Sequence, residues 1–429
     1  MTRKTAIIVG SGIAGLSIAE ILSRNNWKVV ILESQDKIGG EASLATQKWY
    51  HTGWLYACLP NTAAMMGCYS ALHLYQTIYE NIFTHEQINL DLSNRSANYL
   101  ESKNGWFTNE NIFYFYAMST YELSLSKKLY WPIYLRVFPL RRLRNLNYRI
   151  ETITDYSDEM KELLNFWEKD SNGFNKYKII RSTDAKIETE KVTKSLVSSL
   201  SKDSEIITNC SFSLMENNLR TKIKIDGSVH DPDLLVLASG KAIPFHLREI
   251  GFNKAADKIQ SIKSPLLVLK EALSYPDFIR FTPNVAYTIN HIKLNVKEDK
   301  QVSTVGSYYS FPIEENPVIE YYEDSMCEKM GISKVDVLGS YYGIKTEYVD
   351  GATRRYNHAL EKVNENTFFA LAGKFSQFPL LVHDFVLMND LSLVSNNDRD
   401  KIKIIPEIFG EIFPTKLLEK SLLAKSTDL

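Results

Sequence analysis

The six residues Gly10-Ser11-Gly12-Ile13-Ala14-Gly15 constrain the fold of this chain more than any other stretch. They follow TAIIV (Thr5 to Val9), a short β-branched run with the pattern of a buried parallel strand. After them Ile13, Leu16, Ile18, Ala19 and Leu22 recur at helical spacing until Asn25-Asn26, and KVVIL (Lys28 to Leu32) reads as a second strand closed by Glu33. Each part has a role in a dinucleotide site. Gly10 permits the tight turn, Gly12 lets the backbone approach a pyrophosphate, and Gly15 lets the helix pack on the strand. The amides of the helix start at Ile13 and Ala14 face the anion, and the Glu33 carboxylate accepts hydrogen bonds from ribose hydroxyls. A lone G-x-G-x-x-G says little, but here the strand, the helix and the closing acid all stand in place.

At 429 residues the chain exceeds what one simple core supports, so two intimately connected domains are expected. With 50 basic and 51 acidic side chains there is no global electrostatic reason for a nucleic-acid partner. Cys58, Cys68, Cys210 and Cys327 lie far apart, suggesting neither a metal site nor a disulfide framework, and a cytoplasmic setting is expected. The opening apolar run mimics a signal peptide, yet its three glycines and Glu20 fit a strand-turn-helix better. No apolar segment is long enough to span a bilayer.

After Glu33 the chain continues Ser34-Gln35-Asp36-Lys37-Ile38-Gly39-Gly40-Glu41-Ala42-Ser43. Lys37 offers a cation, and the glycine pair a second close-approach backbone, beside the same pyrophosphate. Here the sequence resembles the D-amino-acid oxidase superfamily of flavoproteins, whose pattern is a basic residue, a glycine pair and a small hydroxyl residue. Lys37 stands where that family more often has arginine. The resemblance implies FAD as cofactor and an α/β fold: a Rossmann-type, glutathione-reductase-like FAD domain of the D-amino-acid oxidase type with a second, mixed β-sheet substrate domain. It also implies that Ser34, Glu41, Ala42 and Ser43 line the cofactor. DPDLLVLASGKAI is similar to that family's later strand, placing Ser239 and Gly240 near the dinucleotide. NENTFFALAGKFSQFPLLVHDFV looks like its last strand, with Gly373-Lys374-Phe375-Ser376 opening a helix toward the flavin pyrimidine. EIITNCSFSLME is expected beside the adenine, with Phe212 or its neighbours touching it, after a helix in VTKSLVSSLSK.

In the segment expected to pass the flavin ring, EASLATQKWYHTGWLYACLP is similar to the branch holding FAD-dependent glycerol-3-phosphate dehydrogenases and oxidases and 2-hydroxyglutarate oxidoreductases. That branch carries His-Ser/Ala-Gly-x-x-Tyr where this chain has His51-Thr52-Gly53-Trp54-Leu55-Tyr56. Three roles are open to His51: accepting the proton as a hydride leaves for flavin N5, contacting the flavin, or holding structure by hydrogen bonds to backbone. Tyr56 lines the same pocket or belongs to the core. Tyr342-Gly343-Ile344-Lys345 echoes the branch's Gly-Ile/Leu-Arg-Pro, with Lys345 and Thr346 replacing Arg and Pro. Lys345 is thus the leading anchor for an anionic substrate, as a point charge rather than a fork. Arg354-Arg355 is an alternative anchor or a solvated loop or helix end.

Motif order predicts a discontinuous FAD domain from residues 1–80, 181–250 and 335–400, a cap from 81–180 and 251–334, and a helical tail at 401–429. KKLYWPIYLRVFPLRRLRNLNYR (Lys127 to Arg149) joins seven basic residues to large apolar ones. It is a solvated basic face, a peripheral contact with a membrane or partner protein, or a surface for an anionic substrate. The expected function is an FAD-dependent oxidoreductase that takes a hydride from a CH–OH or CH–NH carbon of a small anionic substrate and passes electrons to oxygen, a quinone or another acceptor. An amine or amino-acid oxidase is the nearest alternative. A flavin-containing binding or assembly protein without turnover is the alternative of another class.

Overall fold

The computed structural model describes residues 3–58, 62–79, 106–108, 112–117, 151–169, 177–217, 219–282, 288–297, 300–315, 317–350, 353–393, 408–411 and 413–427. The N-terminal pattern forms β1 (Thr5–Val9), α1 (Ile13–Arg24) and β2 (Lys28–Leu32). β1 pairs in parallel with β2 on one side and with Leu234–Leu237 on the other. The six-stranded sheet runs Ala359–Lys362, Thr367–Leu371, Leu234–Leu237, β1, β2, Glu205–Ile207. Only Ala359–Lys362 pairs antiparallel in it.

β1 is apolar throughout because both faces of the sheet are covered. Ala6 and Ile8 enter the core beneath α1 and the helix Phe378–Met388, whereas Ile7 and Val9 join Leu235, Leu237 and Phe369 in a second cluster on the opposite face. Burying each such isoleucine stabilises the fold by about 1.5–3 kcal/mol.

A larger, ten-stranded mixed sheet forms the second unit. Its longest ladder pairs Val337–Asp350 with Ile259–Leu269, followed by Lys300–Ser307, Ile289–Lys297, Asp277–Phe281, Ile112–Ala117, Tyr177–Arg181 and Glu151–Ile153. The sequence pattern places residues 278–292 and 302–312 in such a sheet, and their strands lie there. The stretch expected to open the last piece of the FAD domain at residue 335 enters the second sheet instead. Val337–Asp350 pairs with Ile259–Leu269 in the second sheet, and it approaches the nucleotide unit at Gly343, where a Cβ would lie 3.2 Å from the Ala45 carbonyl oxygen. Arg354-Arg355, expected in a loop or helix end, lies in the edge strand Thr353–Arg355. Residues 127–149, the basic aromatic insertion, lie outside the described residues.

A small three-stranded sheet joins the units. Trp49–Tyr50 pairs antiparallel with Ala185–Ile187, which also pairs with Phe107–Thr108. The C-terminal helix Phe413–Thr427 packs on the second sheet, with Leu418 buried and the Thr415 hydroxyl donating to the Val296 carbonyl. Among the described residues no helix is long and apolar enough to cross a membrane.

His291 is buried inside the second sheet. Its Nδ1 faces the Pro276 carbonyl and its Nε2 the Ser303 hydroxyl, so Nδ1 carries the hydrogen and the ring is neutral. Burial pushes its pKa down to about 4, with Lys293 and Lys186 adding to the effect. Because the unfolded ring binds a proton near the ordinary 6.5, stability should be full above that pH and fall progressively toward pH 4, by about 3 kcal/mol. Urea unfolding at stepped pH measures this, and His291→Gln should flatten that part of the profile.

Candidate functional site

The first part of the site is a cradle with no room for side chains. A Cβ at Gly10, whose φ is +104°, would lie 2.6 Å from the Ala238 carbonyl oxygen, and one at Gly15 would lie 2.0 Å from the Gly10 carbonyl oxygen. The turn after β1, the helix start and the end of Leu234–Leu237 therefore meet at backbone distance, and this brings Ser239 and Gly240 to the turn. The start of α1 has no acidic residue in its first turn, and Ser43 Oγ accepts from the Ile13 amide at 2.9 Å. Glu33 accepts from the Ser11 amide and hydroxyl and from the Gln35 amide, which fixes its carboxylate at the end of β2. Ser34 is exposed beside it, and Lys37 is half-buried on the following turn.

Gly39 donates its amide to Ser11 Oγ, and Glu41 pairs with Lys241 at 2.7 Å, so the glycine-pair loop is tied to the Ser239-Gly240 segment. Ala42 is exposed. The Gly373-Lys374-Phe375-Ser376 segment leads through a short 3-10 turn, Phe375–Gln377, into the helix Phe378–Met388. Phe212 begins the strand Phe212–Asn217, with its ring 5.2 Å from that of His246. The residues just before it, Asn209 and Cys210, donate their amides to the backbone of Gln35 and Glu33.

This cradle fits a dinucleotide flavin. Ser239 Oγ and Gln377 Oε1 are buried without a protein partner, and they stand in the segments similar to the family's cofactor motifs. An unpaired buried polar atom costs about 1–3 kcal/mol, so such atoms at one site point to a polar ligand.

The second part lies around His51. Tyr50 pairs with Ala185 in the small sheet, so the next residues beyond that pair, His51 and Asp184, lie side by side. His51 Nδ1 lies 3.1 Å from Asp184 Oδ2; the Asp184 side chain is 0% exposed and that of His51 12%. Asp184 also accepts from the Thr52 amide at 2.8 Å, the Thr52 hydroxyl at 2.9 Å and the Tyr114 hydroxyl at 2.6 Å. No sequence pattern pointed to Asp184 or Tyr114: they are separated from His51 by long stretches of chain and carry no motif. An acid directly after two hydroxyl residues in STDAKI was the one available signal.

The aromatic crowding around His51 builds its walls. Trp49 stacks on the imidazole with centroids 6.1 Å apart, Tyr56 meets it edge-on at 5.9 Å, and Tyr356 lies 5.7 Å from Tyr56. Gly53, at φ +120°, turns the chain into the helix Trp54–Cys58. Burial, then Cys68 and Glu347, push the Tyr56 phenol well above its ordinary range, so Tyr56 stands in this wall as a neutral phenol.

Lys374 Nζ lies 5.0 Å from the Tyr356 ring centroid and 6.0 Å from that of Tyr56, and pairs with Glu347 at 3.5 Å. Lys374, expected at the cofactor, is therefore the cation seated against this wall. Lys345 is exposed on the same strand, and alternation gives it the face of Glu347. Among the described residues no cluster of His, Cys, Asp and Glu could hold a metal ion.

A family model described as FAD dependent oxidoreductase matches residues 5–370. Polyamine oxidase 4 of Oryza sativa subsp. japonica is 33% identical over 82 residues, 18% of this chain and 17% of that protein. The tRNA 5-methylaminomethyl-2-thiouridine biosynthesis bifunctional protein of Hahella chejuensis is 42% identical over 43 residues, 10% of this chain and 7% of that one. The matches thus span less than a fifth of these curated relatives. The L-alpha-glycerophosphate oxidase structure from Mycoplasma pneumoniae shares the fold at TM-score 0.62 and 13% identity, over 95% of this chain and 100% of that one. Glycine oxidase from Geobacillus kaustophilus does so at TM-score 0.61 and 13% identity, over 94% and 100%.

FAD is therefore the cofactor of this cradle. Gly15→Ala forces a methyl group against the Gly10 carbonyl and should weaken FAD binding at least about a hundredfold, on the order of 3 kcal/mol of strain and displacement. Flavin absorbance of the purified protein, with a titration of added FAD, measures it.

Proposed function

This chain belongs to the FAD dependent oxidoreductase family, and from that membership we propose that it oxidises a hydroxyl-bearing carbon of a small anionic substrate. The sequence motifs favour the branch of glycerol-3-phosphate dehydrogenases and 2-hydroxyglutarate oxidoreductases. When bound, FAD supplies the two-electron acceptor, and an external acceptor, oxygen, a quinone or another, regenerates it. In this reading His51 accepts the hydroxyl proton at Nε2, which no described residue occupies. The substrate loses that proton and a hydride and becomes a carbonyl compound.

The observation that carries this reading is the tethering of His51 to a buried carboxylate. An alcohol is a weak acid and needs a positioned base as its hydride departs, whereas a neutral amine can lose hydride without one. A carboxylate-bound imidazole at the site is therefore better matched to a hydroxyl than to an amine. Trp49, Tyr56 and Tyr356 exclude water around the reacting carbon. Lys345, exposed on the strand face of Glu347, is the proposed cation for the incoming anion.

The test is anaerobic bleaching of the bound flavin with hydroxy acids, polyol phosphates, amino acids and amines. A hydroxyl donor should bleach it, and His51→Ala should slow that step at least about a hundredfold with FAD still bound. Bleaching by amino acids or amines alone, unaffected by His51→Ala, would establish the amine-oxidase alternative. Indifference to every donor, with a co-purifying protein, would favour an assembly role.

A further inference from the structure

Asp184 is a buried carboxylate with more donors than a histidine partner requires. Its Oδ1 accepts from the Thr52 amide and hydroxyl, and its Oδ2 faces both His51 Nδ1 and the Tyr114 hydroxyl. The Thr183 and Thr52 hydroxyls lie 2.7 Å apart, and the Ser182 hydroxyl accepts from the Asp184 amide, so the loop carrying the carboxylate is itself tied down. Ser182 in turn bonds the Ile112 carbonyl through both its amide and hydroxyl, fixing this loop to the strand that carries Tyr114. The carboxylate stands just before Ala185–Ile187 and the histidine just after Trp49–Tyr50, so the two meet where that antiparallel pairing ends.

We propose that Asp184 is a positioning residue that holds His51 in the tautomer with hydrogen on Nδ1, and that Tyr114, by donating to the same oxygen, limits how strongly it does so. This deepens the reading of His51 as the proton acceptor and rests on it. A carboxylate only accepts, so the nitrogen facing it must carry hydrogen, which leaves the lone pair on Nε2, the outward nitrogen. The negative charge then stabilises the imidazolium that forms during turnover. The Tyr114 hydrogen bond draws charge from Oδ2 and weakens that stabilisation.

The other titratable and charged groups around the pair are Tyr56, Tyr356, Cys68, Lys374 and Glu347. Burial, with Asp184 nearby, pushes the Cys68 thiol up to about 12, and Tyr56 is raised well above its range. Both are neutral across the working range. Lys374 and Glu347 form an ion pair.

The experiment uses the FAD-loaded protein labelled with nitrogen-15 in its 8 histidines, the His51 signals being assigned by their loss in His51→Ala. The expected wild-type spectrum shows a protonated Nδ1 and a bare Nε2 for neutral His51. Asp184→Asn, whose amide can donate to Nδ1, should invert the tautomer and lower the His51 titration midpoint. Tyr114→Phe should keep the tautomer and raise the midpoint. With the best donor of the panel, Asp184→Asn should slow flavin bleaching by about tenfold or more.

A wild-type ring bearing hydrogen on Nε2, or a tautomer unchanged by Asp184→Asn, overturns the proposal. So does a midpoint that moves the same way in both variants, as general loosening of the loop would produce. If Asp184→Asn does not fold, the wild-type tautomer and the Tyr114→Phe shift decide the matter. Loss of bleaching in His51→Ala together with an unchanged Asp184→Asn removes this inference alone; bleaching unchanged in His51→Ala removes the reading beneath it.

Discussion

The structure depends on a place where two strand ends and a helix start must touch without side chains. Gly10 and Gly15 let the turn after β1 press against both its own helix and the end of Leu234–Leu237. That contact fixes where Ser239 and Gly240 can sit and, through the Glu41–Lys241 pair, where the glycine-pair loop can run. Everything after that loop, including the aromatic segment with His51, is placed relative to this junction. The glycines serve two ends at once: they let a phosphate approach the backbone, and they hold in one geometry segments more than 200 residues apart.

A second constraint is the burial of Asp184. A carboxylate taken out of water is tolerated only when its lone pairs are met, and four donors meet them here. Hydrogen bonds to a charged group contribute about 1.5–3 kcal/mol each, so the loop pays for its burial only when Thr52, Tyr114 and His51 are all in position. The arrangement therefore couples the shape of the His51 pocket to the packing of the second sheet. The aromatic rings of Trp49, Tyr56 and Tyr356 add the walls of that pocket.

Much of the cofactor half was legible because its constraints are local. A β-branched strand, a glycine turn, an amphipathic helix and a closing acid report themselves within about thirty residues, and the later strands follow the same order. The sheet to which Val337–Asp350 belongs was not legible locally, because its pairing partner, Ile259–Leu269, lies elsewhere in the chain. Asp184 and Tyr114 were invisible for the same reason: their meaning lies in a register between distant strands, which no local period encodes. Lys374 was found for its place in a family motif, but its seat above Tyr56 and Tyr356 emerges only in three dimensions.

The ladder that ends beside His51 and Asp184 closes a loop of more than a hundred residues, and a slip of one residue would part the two while leaving most of the surrounding backbone pairing possible. Local elements such as β1 and α1 can form early, but this rung must wait for long-range closure. The pairing of His51 with Asp184 is thus a late event of folding, and a molecule already able to colour itself with flavin need not yet have that pair in register.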